Sequence, residues 1–152
     1  MRLSSLLAAA ALAAGGLSAC GPKGEPGARA GGILLSAEQA VSGPPALELP
    51  GPTRVWAAEK GVDLGVYYAR TAGSLGPLRS ARAALRLVLL KGRAEVRSGE
   101  VRKACGPGAY VVVPAGTDWE LRAVGPEPVL FCILASPADV PLAALLSPAQ
   151  GS

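Results

Sequence analysis

GSLGPLRSARAALRLVLLKG (Gly73–Gly92) and GAYVVVPAGTDWELRA (Gly108–Ala123) are the two stretches whose reading decides the fold. In the second, Ala109 to Val113 is a β-branched run stopped by Pro114-Ala115-Gly116. Asp118 to Ala123 then alternates, with Trp119, Leu121 and Ala123 on the apolar face of a strand. Between the two stretches, Arg93 to Arg97 also alternates, Ala94 and Val96 inward and the charges outward. Ser98-Gly99-Glu100 reads as the turn of a hairpin. The segment Leu78 to Leu90 has two readings. Arg79, Arg82 and Arg86 lie at helical spacing. As a pair of strands, Arg79, Ala81, Ala83, Leu85, Leu87 and Leu89 share an inward face, with Ser80, Arg82 and Arg86 opposite. The alternation and the β character on either side favour strands.

Working outward, Val62 to Tyr68 places Val62, Leu64, Val66 and Tyr68 on one strand face. Val129 to Leu134 is an apolar run expected to be a buried strand. Short strands and turns at this density predict an all-β domain, a small antiparallel barrel or jelly roll over residues 47–137. Residues 138–152 read as a tail with room for a short helix.

The amino-terminal part has a different texture. Met1-Arg2 is a short positive start, Leu3 to Gly16 is an Ala- and Leu-rich run, and Leu17-Ser18-Ala19-Cys20 follows. The run is short for a membrane span and has the layout of a secretory signal over residues 1–19. Residues 20–46 are rich in Gly, Pro, Ala and Ser and read as a flexible tether. Ile33 to Val41 is long enough for one short helix or strand and too short to say which.

Composition narrows the chemistry. The 152 residues hold no His, which removes most general-base and transition-metal sites. The formal net charge of +4 is small and scattered, and it argues against nucleic acid. The 20 Gly and 14 Pro suit strands and turns better than long helices. Asp63, Glu95, Glu100, Asp118 and Glu120 fall on outward faces or in turns, so no carboxylate pair is set up for acid–base work.

Two resemblances follow from these residues. Leu17 to Cys20 resembles the bacterial lipobox, which implies cleavage before Cys20 and lipidation of its thiol and amino group. Gly21 in the next position, where Asp would retain a lipoprotein in the inner membrane, implies an outer-membrane anchor facing the periplasm. The second resemblance is to the cupins. Gly73 and Gly92 take the first and last positions of the first cupin motif, and Gly108, Pro114 and Gly116 take those of the second. The gap of fifteen residues from Arg93 to Pro107 suits small cupins. The motif positions that hold metal ligands in cupins fall on Arg79, Ala81, Leu85 and Trp119, none a plausible ligand. The resemblance therefore implies the cupin barrel with its metal site lost, and no cofactor.

Trp119 has two readings, a plug in the barrel or a stacking platform for a flat or sugar-like ligand. Arg79 sits either at a rim with its head in water or over a pocket, gripping a carboxylate or phosphate. Tyr68 and Tyr110 are candidates to add a hydroxyl. Cys105 and Cys132 remain once Cys20 is set aside. Outside the cytoplasm an even pair invites a disulfide, against the alternative of two separate buried thiols.

The expectation is a metal-free, non-catalytic module held to the membrane through Cys20. It would bind a small anionic or sugar-like ligand or a protein surface, and a homodimer is compatible with the sequence. A divergent isomerase- or epimerase-type cupin enzyme and a purely structural lipoprotein are the competing readings.

Overall fold

Inward-facing apolar residues on alternate positions of the longer strands fold the chain onto one core. The computed structural model describes residues 36–149. A short helix α1 (Ala37–Ala40) is followed by β1 (Leu47–Leu49), β2 (Thr53–Lys60), β3 (Gly65–Thr71), β4 (Ser74–Arg79) and β5 (Ala84–Lys91). Then come β6 (Ala94–Ser98), β7 (Val101–Cys105), β8 (Tyr110–Val113), β9 (Asp118–Ala123) and β10 (Val129–Ser136). Helix α2 (Leu142–Leu145) and the two-residue β11 (Ser147–Pro148) complete the chain. All strand pairs are antiparallel, in a six-stranded sheet β1-β2-β3-β10-β5-β8 and a five-stranded sheet β11-β4-β9-β6-β7. From β3 onward the chain passes repeatedly between the two sheets, which gives a double-stranded β-helix, or jelly roll.

The all-β expectation is met, and Leu78 to Leu90 is strand, turn and strand, with no helix. Leu85, Leu87 and Leu89 of β5 face Leu121 and Trp119 of β9 and Val96 of β6 across a dry core. Phe131 and Ile133 on β10 fill its middle. Strand β10 is buried along most of its length because it lies between β3 and β5.

Two inward faces differ from expectation. In β3 the buried positions are Gly65, Tyr67, Ala69 and Thr71. Val62, at 91% exposure, and Leu64 lie in the loop before the strand, so their alternation marks no face. Tyr68 therefore points out of the barrel. In β4 the register shifts between Leu75 and Leu78, and both of those leucines point inward. The bulge at Gly76-Pro77 inserts a residue, and everything after it changes face. Arg79 is thereby turned outward. Ala81 is exposed in the turn between β4 and β5, again against expectation.

Both ends of the described chain do more than tether or trail. Ser36 caps α1 through a capping box with Gln39. Val41 then packs with Trp56 and Leu130 on the outer face of the six-stranded sheet, and the Trp56 indole donates a 2.7 Å hydrogen bond to the Gly43 carbonyl. Residues 36–46, read from sequence as the end of a flexible tether, are thus attached to the sheet. At the other end, Val140, Leu145 and Leu146 are buried in the main core, and β11 pairs with β4. The expected tail is the last piece of the barrel wall. The signal segment, Cys20 and the first part of the expected tether lie outside the described residues.

The glycines of the motif stretches are not equivalent. Gly92, Gly108 and Gly116 have positive φ, whereas Gly73 does not. A Cβ on Gly92 would also stand 2.7 Å from the Pro128 carbonyl oxygen, while one on Gly108 would meet open space. Gly92→Ala is expected to cost about 1–3 kcal/mol from the backbone conformation alone, with the steric contact added. Gly108→Ala is expected to fall at the low end of that range. Denaturant melts of the two variants check the ordering.

Candidate functional site

The residues that occupy the cupin ligand positions do not converge. Leu85 and Trp119 are both fully buried and belong to the main core. Ala81 is exposed. Arg79 leaves the barrel wall and its Nε donates to Asp118 Oδ1 at 2.5 Å. That bond, more than the positive charge itself, holds the Asp118 carboxyl below the usual carboxylate range. The pair therefore supports the fold above that range and is lost as pH falls through it, with both groups partly in water. Such a set does not fit a metal ion: one position is an indole, one an isobutyl group, one a methyl in solvent, and one a cation. Among the described residues, no three His, Cys, Asp or Glu side chains are gathered to hold one.

Trp119 acts as a plug. Its indole is 0% exposed, and it sits among residues such as Leu85, Leu121 and Phe131. Its Nε1 has no hydrogen-bond partner among the described residues. An unmet N–H in an apolar core costs free energy, so the size of the ring is what the site uses. The stacking-platform reading needs a ring face open to solvent, and this one is closed.

The remaining sequence candidates are dispersed. Trp56, Tyr68, Cys132, Val88 and Tyr110 form one row across the outer face of the six-stranded sheet, one residue from each of five adjacent strands. Burial first, and the neighbouring Cys132 second, push the Tyr68 phenol upward. Cys132 is buried and free, its thiol pushed up to about 11 by desolvation. Cys105 pairs with Ala94 at the end of β7, on the inward side of the other sheet, and is also free. Of the two readings left open by the sequence, a bridge or two separate thiols, the structure has the second, because the thiols stand on opposite faces of the six-stranded sheet. Iodoacetamide at pH 8 is therefore expected to label Cys105 well before Cys132, as followed by peptide mass spectrometry of the folded protein. Equal rates would contradict the buried placement of Cys132.

Several shallow openings mark the surface, and the one that gathers candidate residues lies at the side of the barrel where β7 and β8, the free edges of the two sheets, run past each other. It is a groove of about 780 Å³. Val96, Val101, Ala109 and Val111 give it an apolar floor, and Lys103, Cys105 and Tyr110 supply polar atoms. Of the residues singled out from sequence, the groove gathers Tyr110 and Cys105. Lys103 was missed: β7 is exposed along nearly all of its length and shows no alternation to draw attention to it.

Comparison with known proteins agrees with the architecture. No family model matches the chain, and no curated protein does. Among solved structures it is similar to a double-stranded β-helix protein from Klebsiella pneumoniae, with a TM-score of 0.60 at 16% identity over 71% of this chain and 92% of that one. It is similar to KdgF from Halomonas sp., with a TM-score of 0.55 at 19% identity over 60% of this chain and 85% of that one. It is also similar to the cupin domain of Cnp3 from Schizosaccharomyces pombe, with a TM-score of 0.54 at 16% identity over 60% and 69%. The chain has the cupin fold. At these identities the likeness extends to the fold alone.

Replacing Trp119 tests the plug. Trp119→Ala is expected to cost about 3–5 kcal/mol, as for large aromatic deletions in a core. Trp119→Phe keeps most of the volume and removes the unmet N–H, so its cost is expected to stay below about 1.5 kcal/mol. Urea melts of both variants measure the difference.

Proposed function

We propose that this protein is a lipid-anchored, metal-free cupin-fold module of a bacterial cell envelope, and that it binds without catalysing a reaction. The observation that carries this reading is the exchange of sites within the fold. The centre of the barrel is filled by Trp119, Leu85 and Phe131, while the groove between β7 and β8 stays open. A filled centre leaves no room for a substrate beside inward side chains. The groove is concave and mostly apolar, with a few polar groups, which is the usual composition of a binding site. Its ionisable side chains are Lys103, Cys105 and Tyr110. No carboxylate lines it and the chain has no His, so the side chains most used for acid–base catalysis near neutral pH are missing there. Cys105 has no His or carboxylate beside it in the groove to act as its base.

The envelope anchor rests on the Leu17-Ser18-Ala19-Cys20 pattern behind an apolar run. Acyl chains on Cys20 would hold the domain at a bilayer surface, with the outer membrane and its periplasmic face as the proposed site. Expression in a Gram-negative host, followed by membrane fractionation and mass spectrometry of the amino terminus, tests it. Wild-type protein is expected in the membrane fraction as a diacylglyceryl- and acyl-modified Cys20. Cys20→Ala is expected to give an unmodified form. Acylated, membrane-bound Cys20→Ala protein would overturn the anchor.

A further inference from the structure

The free edge of β8 lies against this groove, and its backbone determines what fits there. Leu89 N–H donates to the Ala109 carbonyl at 3.0 Å, and Leu87 is paired with Val111. In an antiparallel pair, alternate residues turn their backbone groups toward the partner strand. Residues 109, 111 and 113 thus face β5, and the N–H and C=O of Tyr110 and Val112 face the free edge. The Ser98 hydroxyl donates a long 3.4 Å hydrogen bond to the Val112 carbonyl, which confirms that direction. Among the described residues, the N–H and C=O of Tyr110 and the N–H of Val112 have no backbone partner.

This edge is guarded by its four-residue length and by Ser98, and lacks the chemical protection common at sheet edges. Sheet edges in natural proteins are blunted by charges, prolines or bulges. The four residues of β8, Tyr-Val-Val-Val, carry no charge and no Pro, and Tyr110 and Val112 are 57% and 51% exposed. The edge of β7 across the groove differs, since it carries Arg102 and Lys103. Arg102 is paired with Glu95. Lys103 has no ion-pair partner among the described residues and is the one formally charged residue that lines the groove.

We propose that the groove takes an extended segment of a partner protein, added as a strand along β8, with an acidic side chain of that segment held by Lys103. Strand addition meets the open backbone groups of Tyr110 and Val112 through main-chain hydrogen bonds. Alternate side chains of the added strand point into the groove, where Val96, Val101 and Val111 offer apolar contacts and Lys103 offers a charge. A small anion would answer Lys103 and leave the backbone groups unmet. A second copy of this chain would do the reverse, because its β8 brings no acid and its β7 brings another Arg102 and Lys103 into the same space. An extended acidic segment answers both needs.

The proposal rests on the groove being the binding site, and the test separates the two. Two end-blocked peptides, TVTETVT and TVTKTVT, are titrated at up to millimolar concentration into the 15N-labelled full chain. The acidic peptide is expected to shift and protect the amides of Tyr110 and Val112 and to bind about fivefold more tightly than the basic one, the ratio given by one exposed ion pair. Lys103→Glu is expected to invert that order. Val112→Pro removes an N–H from the free edge, where proline is tolerated, and is expected to abolish binding while the remaining spectrum stays folded. Equal binding of the two peptides, or no response at Tyr110 and Val112, overturns the proposal. So does protection of those amides by self-association in sedimentation experiments. A small molecule found in the groove by native mass spectrometry would overturn the strand and leave the groove standing as the binding site.

Discussion

The packing of Trp119 between the two sheets is the contact on which the rest of the barrel depends. Its backbone lies on β9, flanked by β4 and β6, and its side chain reaches into the core formed with the opposite sheet. On the β4 side the chain passes so close that a Cβ on Gly76 would stand 2.8 Å from the Trp119 carbonyl oxygen. The bulge at Gly76-Pro77 allows that approach, and by allowing it turns Arg79 outward to meet Asp118. A close backbone contact, the bulge beside it and an ion pair on the surface thus all lie around the strand that carries Trp119. A polar, open centre would need ligating side chains at these same positions. Here dispersion and desolvation do that work, and an unmet indole N–H is tolerated for it.

Much of the fold was legible where one face of a strand is buried and the other wet. The alternation of β5, β6 and β9 put Leu85, Leu87, Leu89, Ala94, Val96, Trp119 and Leu121 inward, and all seven are buried. Periodicity failed where a local event resets it. The turn between β4 and β5, where the chain crosses from one sheet to the other, put Arg79 out of step with Leu85, and the late start of β3 moved Tyr68 to the other face. Neighbouring tyrosines at 67 and 68 look alike in composition, so only the register separates the buried one from its outward neighbour. The glycine spacing was partly informative. Gly92, Gly108 and Gly116 need the left-handed region, whereas Gly73 does not.

The groove was not legible at all, for a topological reason. It exists because β7 ends one sheet and β8 ends the other, and neither position is written in either strand. An exposed run such as Val101 to Cys105 reads equally well as an outer hairpin arm. Lys103 acquires its place only when β6 sets it beside Val96 on the inward side. A site built from two edges belongs to the pairing order, and pairing order is a property of distant segments meeting.

That pairing order also sets when the chain becomes a protein. Strand β10 lies between β3 and β5 in the middle of the six-stranded sheet, and Leu145 and Leu146 enter the core later still in the sequence. Without them, β3 and β5 have no strand between them, and the barrel end beside β4 stands open. No amino-terminal fragment therefore holds a cooperative share of the stability. Until β10 takes its place, β3 and β5 lack the strand that joins them in the six-stranded sheet. The sheet is thus closed by a late segment, and a fragment that stops before Val129 lacks the strand at its centre.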